Sequence, residues 1–210
     1  ERYAAGADVK YGVTSNLTLD ATVNPDFGQV EADPAVLNLS AFETFFQEKR
    51  PFFIEGNSLL RFSVNCSQVN CGSGEGLYYS RRIGRAPQLG GEYGDANSPQ
   101  ATRILGAAKL TGRLAGGLSI GVLDAVTQRQ RGTEDRTIEP AASYTLVRAA
   151  QDLRGGETTV GLIGTAVNRA NDAWTRAGLR SRALVGGFQF SHRFLNRRYQ
   201  VQAAVTASRV

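Results

Sequence analysis

YQVQAAVTAS, residues 199–208, sets Tyr199, Val201, Ala203, Val205 and Ala207 against Gln200, Gln202, Thr206 and Ser208. A period of two puts the two sets on opposite faces of an extended chain, the pattern of a β-strand with one apolar face. The same period recurs upstream. Ala7, Val9, Tyr11 and Val13 alternate with Gly6, Asp8, Lys10 and Gly12. After a tight turn at Ser15-Asn16, Leu17, Leu19, Ala21 and Val23 oppose Thr18, Asp20 and Thr22. Two alternating runs around a short turn spell a hairpin.

Further strands are expected near 102–111 (face Ile104, Gly106, Ala108, Leu110) and 118–127 (Leu118, Ile120, Val122). Others are expected near 138–148 (Ala142, Tyr144, Leu146), 157–167 (Val160, Leu162, Ala166) and 183–193 (Leu184, Phe188, Phe190). Asp124 falls in phase with apolar neighbours, which predicts a bulge or the end of the apolar zone there. The expected strands run about 9–11 residues, the length of a tilted membrane-crossing strand. Short turns follow strands one, three, five and seven; long connections follow two, four and six. That asymmetry, and glycines inside the strands, favour an outer-membrane barrel over a soluble sandwich.

The residues between strands two and three, 24–101, form a long connection. Connections longer than about 15 residues within a domain are functional or disordered, and this one is too aromatic for disorder. Seven of the ten phenylalanines lie between Phe27 and Phe62. Asp33, Pro34 and the helical spacing of Ala35, Leu39, Phe42 and Phe46 predict a short amphipathic helix that Pro51 ends. An exposed cluster of Phe42, Phe45, Phe46, Phe52 and Phe53 must pack on something. A barrel wall is the expected partner, so the connection is expected to fold inward as a plug or constriction. Glu43, Glu48 and Glu55 are expected to pair with Lys49, Arg50, Arg81, Arg82 and Arg85, since buried charges need partners.

Asp26, Glu31 and Asp33 offer hard oxygen ligands for Ca²⁺, although their spacing is not an EF-hand. No other cofactor is expected. Carboxylates of the 26–55 stretch could also serve as an acid–base pair for glycoside hydrolysis. Ser80 is not in a nucleophile elbow, and His192 reads as a polar group of the lumen or rim. Cys66 and Cys71 enclose SQVN; they read as a disulfide of an oxidising compartment or as free thiols, and zinc would need more Cys or His nearby.

Net charge is +5, and of 24 basic residues only Lys10, Lys49 and Lys109 are lysines. The arginines are scattered among 19 carboxylates rather than gathered into a stripe, which argues against nucleic acid. Mean hydropathy is −0.25, and no apolar run is long enough for a membrane helix. The chain carries no leader pattern at Glu1 and stops within an alternating run; it reads as a piece of a longer protein.

The motifs NPDFGQVEADPAVLNLSAFETFFQEKRPFFIEG (24–56), YYSRRIGRAP (78–87), GAAKLTGRLAGGLSIGVLDAVT (106–127), TTVGLIGTAVNR (158–169) and VGGFQFSHRF (185–194) together resemble a bacterial outer-membrane-associated domain family of unknown function. In that family the domain usually follows an amino-terminal domain similar to carbohydrate-binding module family 9. The resemblance covers nearly the whole chain. It implies a Gram-negative-type envelope and a barrel longer than this chain, and it brings no catalytic residues.

The expectation is therefore one all-β domain over 1–210: a segment of an antiparallel up-and-down transmembrane β-barrel with a long inward-folded loop holding a short helix. A channel, transport or envelope-assembly role without catalysis follows, in the outer membrane, with lipid and other envelope proteins as partners. A surface glycan-binding module, using loops 128–137 and 169–182, is the alternative; a carboxylate-dependent hydrolase is the third reading.

Overall fold

A computed structural model describes residues 5–25, 45–62 and 76–210. Eight strands form one antiparallel sheet: β1 (Ala7–Thr14), β2 (Leu17–Val23), β3 (Ile104–Arg113), β4 (Leu118–Thr127), β7 (Ala142–Leu153), β8 (Thr158–Arg169), β9 (Arg182–Phe194) and β10 (Tyr199–Arg209). A two-stranded ribbon, β5 (Gln130–Arg131) with β6 (Thr137–Glu139), lies between β4 and β7 in sequence. Each long strand pairs with the next, so the sheet is a meander with β1 and β10 at open edges. It does not close on itself. Strands β3, β4 and β10 have 10, 10 and 11 residues, while β7, β8 and β9 reach 12, 12 and 13. The fifth expected strand starts later than its alternation suggests, at Ala142. Pro140, buried beside it, has no N–H for the ladder and separates β6 from β7. Asp124 causes no bulge; it pairs in register with Ala108 and Thr145 and accepts a 2.6 Å bond from Thr145 Oγ1. The irregularity lies between Ile104 and Gly106 instead.

The register sorts the side chains into two faces. One row across the sheet runs Lys10, Asp20, Lys109, Leu123, Leu146 and Thr165. This face is covered by the connection, through α1 (Pro51–Ile54), α2 (Asn57–Leu60) and the segment around Ile83. Phe53, Leu60, Phe62 and Ile83 pack there with Ala107, Leu123, Ala125, Leu146 and Ile163. Each ring fully removed from water contributes about 2–3 kcal/mol. The opposite face holds most of the apolar stripes read from the sequence, and it is bare: Val147 is 49 % exposed, Leu162 57 % and Phe188 41 %. Strand β7 is the exception, because Tyr144 and Leu146 of its expected apolar face pack against the connection. From β2 to β8 the sheet is thus inverted, with its polar phase covered and its apolar phase open, while β1 and β10 are exposed on both faces.

Two glycines make the close packing possible. A Cβ on Gly121 would lie 2.5 Å from Leu60 Cδ2 and 3.1 Å from Leu59 O. One on Gly187 would lie 2.8 Å from Leu77 Cδ1 and 2.9 Å from Phe62 Cζ. Gly164, on the bare face, has nothing within 4 Å of the same position. Gly121→Val should therefore lower stability by about 1–3 kcal/mol, the usual penalty of overpacking, while Gly164→Val should stay within about 0.5 kcal/mol. Denaturant midpoints of the two variants check the contrast; equal shifts would refute the close-approach account.

Candidate functional site

The covered face and the connection meet in two polar clusters. The first is a clasp inside the connection. Arg50, 8 % exposed, donates from Nε to Glu48 Oε1 at 2.8 Å and from Nη2 to Glu48 Oε2 at 2.7 Å. It also donates from Nη1 to Ile83 O at 2.7 Å and from Nη2 to Ser80 O at 2.9 Å. Its guanidinium lies 4.3 Å from the Phe53 ring centroid. Ser80 Oγ donates to Glu48 Oε2 at 2.6 Å. The Tyr79 hydroxyl accepts from Phe46 N at 2.9 Å and donates to Phe46 O at 3.1 Å, with Phe45 edge-on to its ring. One guanidinium thus ties residues 45–54 to residues 79–83, using the fork that a carboxylate and two carbonyls can fill.

The second cluster anchors the connection to the sheet. Lys10, Asp20 and Lys109 are cross-strand neighbours on β1, β2 and β3. Lys109 is 1 % exposed. Its Nζ donates to Phe52 O at 2.5 Å and Glu55 O at 2.6 Å, lies 3.5 Å from Asp20 Oδ2, and sits 4.7 Å from the Phe52 ring centroid. Glu55 reaches the Lys10 ammonium at 2.5 Å. On β7, Arg148 donates from Nε to Arg61 O at 2.7 Å and lies 5.4 Å from the Phe62 ring centroid. A cavity of about 590 Å³ opens beside the ladder, lined by Lys10, Asp20, Glu55, Thr111 and Arg113 among others. Its carboxylates are taken by cations, so it presents charge to a polar solute rather than a free acid–base pair.

Of the residues singled out from sequence, Glu48, Arg50, Phe45, Phe46, Phe52 and Phe53 do come together. Glu55 differs from expectation: its partner is Lys10 on β1, because Lys109 holds the Glu55 carbonyl against that part of the sheet. Arg81 and Arg82 lie in the 3₁₀ turn Ser80–Arg82 beside the clasp. Arg85 lies beside buried Glu139, which accepts from Gln88 N and Nε2; burial pushes Arg85 down and Glu139 opposes it. The expected helix ending at Pro51 is corrected where it is described: residues 45–50 are irregular and Pro51 opens α1, as its missing N–H permits. Its earlier part, with Asp33 and Phe42, lies outside the described residues. So do Asp26 and Glu31, Glu43, and the Cys66–Cys71 pair. Among the described residues no cluster of three His, Cys, Asp or Glu could hold a metal. His192 lies near the turn end of β9, on the bare face, with Nδ1 2.9 Å from Thr158 Oγ1.

Sequence reasoning missed Lys10, Asp20, Lys109 and Arg148 as anchors. The available signal was a long cation standing alone among small residues in the polar phase, as in GAAKLTG (106–112). At the loop end, β5, β6 and the 170–179 loop gather around a third cluster. Tyr93 and Trp174 meet edge-on, with centroids 5.9 Å apart, under the Arg136 guanidinium, 4.9 Å from the Trp174 centroid. Asp172 accepts from Thr137 Oγ1 and from Trp174 N.

An open antiparallel meander whose polar face is locked under a long aromatic connection defines the class of this protein. Over residues 1–210 the chain matches the family described as Domain of unknown function (DUF5916), and it belongs to that family. Comparison with curated proteins and with solved structures finds no match.

Burial pushes the Glu48 carboxyl up, but the bonds from Arg50, Ser80 and the Arg50 N–H outweigh it and hold it below the usual carboxylate range. A depressed carboxylate stabilises the fold above its unfolded pKa of about 4.3 and loses that contribution as pH falls through the lower, folded value. Amide protection factors of residues 45–54, taken relative to intrinsic exchange at each pH, should fall on acidification through that window, and Glu48→Gln should flatten the dependence. Lys109→Met leaves Asp20, Phe52 O and Glu55 O without their shared donor, a loss of about 3 kcal/mol or more. Trypsin should then cut at Arg61 faster than in the parent; unchanged cleavage would remove Lys109 as an anchor.

Proposed function

We propose that this chain is part of an outer-membrane β-barrel whose lumen is narrowed by residues 24–101, and that it serves as a channel, transporter or envelope-assembly component. The observation that carries the proposal is the inverted sheet. Eight strands about 4.8 Å apart present an apolar face on the order of 1,000 Å², beyond the few hundred Å² that soluble monomers expose. The buried side instead carries Lys109, Arg148, Asp20, Thr22, Thr111 and Thr127. Apolar outside and polar inside is the polarity of a membrane barrel. A 12-residue strand such as β8, tilted about 45°, rises roughly 28 Å, close to the hydrocarbon thickness. All four short turns, between β1 and β2, β3 and β4, β7 and β8, and β9 and β10, fall at one end of the meander. No described helix is long and apolar enough to cross a membrane; crossing would be by strands. The open edges at β1 and β10 call for further strands to complete a ring.

In this reading the clasp and the Lys109 ladder hold a constriction, and the charges around the cavity select solutes by sign and size, as charged rings do in pores. Full-length protein should fractionate with outer membranes and migrate differently on unheated and heated gels. It should conduct ions across planar bilayers, and conductance should rise when 24–101 is deleted. A purely soluble location would overturn the barrel, and unchanged conductance would overturn the constriction.

A surface glycan-binding module is the second reading, and one observation favours it. Trp174, 46 % exposed, stands with Tyr93 and Arg136 where loops 128–137 and 169–182 converge, and aromatic rings with polar neighbours suit sugar faces. Arg136 covers part of the indole, which leaves less of the platform free. Saturable heat on oligosaccharide titration, abolished by Trp174→Ala, would support this reading.

A further inference from the structure

The turn end of β7–β10 carries a surface of a different composition from the rest of the bare face. Phe190, His192 and Phe194 alternate along β9 on that face. The His192 ring stacks on Phe190, centroids 6.5 Å apart, and on Phe194, 6.0 Å apart with only 9° between planes. Phe194 stacks in turn on Tyr199 of β10 at 5.7 Å. The result is an aromatic row at the end of the apolar face.

Two tight turns flank the row. Arg154 and the consecutive Leu195, Asn196 and Arg197 have φ between 52° and 64°, a left-handed backbone that non-glycine residues adopt at a cost of about 1–2 kcal/mol each. The turns meet where Arg197 Nη2 donates to Gly155 O at 3.4 Å. They hold Arg154, Arg197 and Arg198 exposed at the edge of the aromatic row. Among the described residues, no carboxylate lies within ion-pair distance of any of the three. Exposed arginines at the loop end do find acids: Arg131 pairs with Asp135 and Arg136 with Glu134. Nearby Asp152 is already engaged by Arg113 and Thr159.

We propose that this end of the sheet docks an anionic phospholipid surface: the aromatic row lies at the boundary of headgroups and acyl chains, and the three guanidinium groups take lipid phosphates. The proposal rests on the reading that the bare face meets lipid. Aromatic side chains concentrate at such boundaries because one edge is apolar and the other polar. Guanidinium forks fit phosphate oxygens in pairs. The continuity of the row with the aliphatic face through Phe188 and Leu162 favours a lipid over nucleic acid or a free anion, which would use the cations but leave the rings and aliphatic face bare.

The test uses full-length protein reconstituted in phosphatidylcholine membranes with spin-labelled phosphatidylglycerol or phosphatidylcholine as reporter. A motionally restricted phosphatidylcholine component reports contact of the bare face with lipid; its absence would sink the barrel reading itself. Given that component, phosphatidylglycerol should be preferred by about five-fold, the factor one arginine near a membrane surface supplies. The triple variant Arg154→Gln, Arg197→Gln, Arg198→Gln should bring the preference to about one, and high salt should do the same. Equal association of the two lipids with the parent protein, or a preference that survives the triple variant, overturns the anionic site while leaving the barrel intact. Arg193 lies in the other phase of β9, paired with Gln200. Arg193→Gln should keep the preference; its loss would mean net charge, not this surface, attracts the lipid.

Discussion

A lysine ammonium without access to water has to be met by oxygen, and Lys109 dictates what may cover the sheet. Its Nζ takes two backbone carbonyls of the α1 turn and faces Asp20. Remove the connection and a polar wall is left with its cations unmatched. Remove the lysine and the connection loses the hold that carries Glu55 to Lys10. Arg148 repeats the device two strands away with the Arg61 carbonyl and the Phe62 ring. Cations on the wall therefore bind main chain and rings of the connection more than they bind acids. Such contacts demand one backbone position, which is why a long segment with little regular structure still has a defined path.

The Arg50 clasp adds the complementary constraint. The wall holds residues 52–62, and the clasp holds residues 79–83 to residues 46–53. Phe53 stands at the join: its ring lies under the Arg50 guanidinium and inside the core cluster. Polar locking and apolar packing thus share residues. Small wall positions such as Gly121 and Gly187 let the connection approach closely enough for both.

The strands were largely legible, and their limits show why. Alternation located all eight long strands, and the turn at Ser15-Asn16 fell where the register places it. The expectation failed where local pattern and chain chemistry disagree, as at Pro140, which breaks a run that alternation would continue. The site was half legible. Aromatic density and the need of buried carboxylates for cationic partners flagged the clasp, whose main ion pair is two residues apart in sequence. The partner of Glu55 was not legible: Lys10 lies 45 residues away, and several arginines stood nearer along the chain. Lys109, isolated among small residues, looked like an ordinary solvated strand lysine.

By itself the sequence determined the two-residue period, the meander of hairpins and the presence of one long aromatic connection, because these follow from local side-chain geometry. It also left each strand with an apolar and a polar phase, and which one would be covered followed only from the expected inward fold of the connection. Tertiary structure decided that. Contacts spanning 30 to about 90 residues, from Arg50 to Ser80 and from Arg148 to Arg61, cover the polar face and leave the apolar one open. The physical reason is that buried ammonium and guanidinium groups need oxygen partners, and the connection is the segment that brings them.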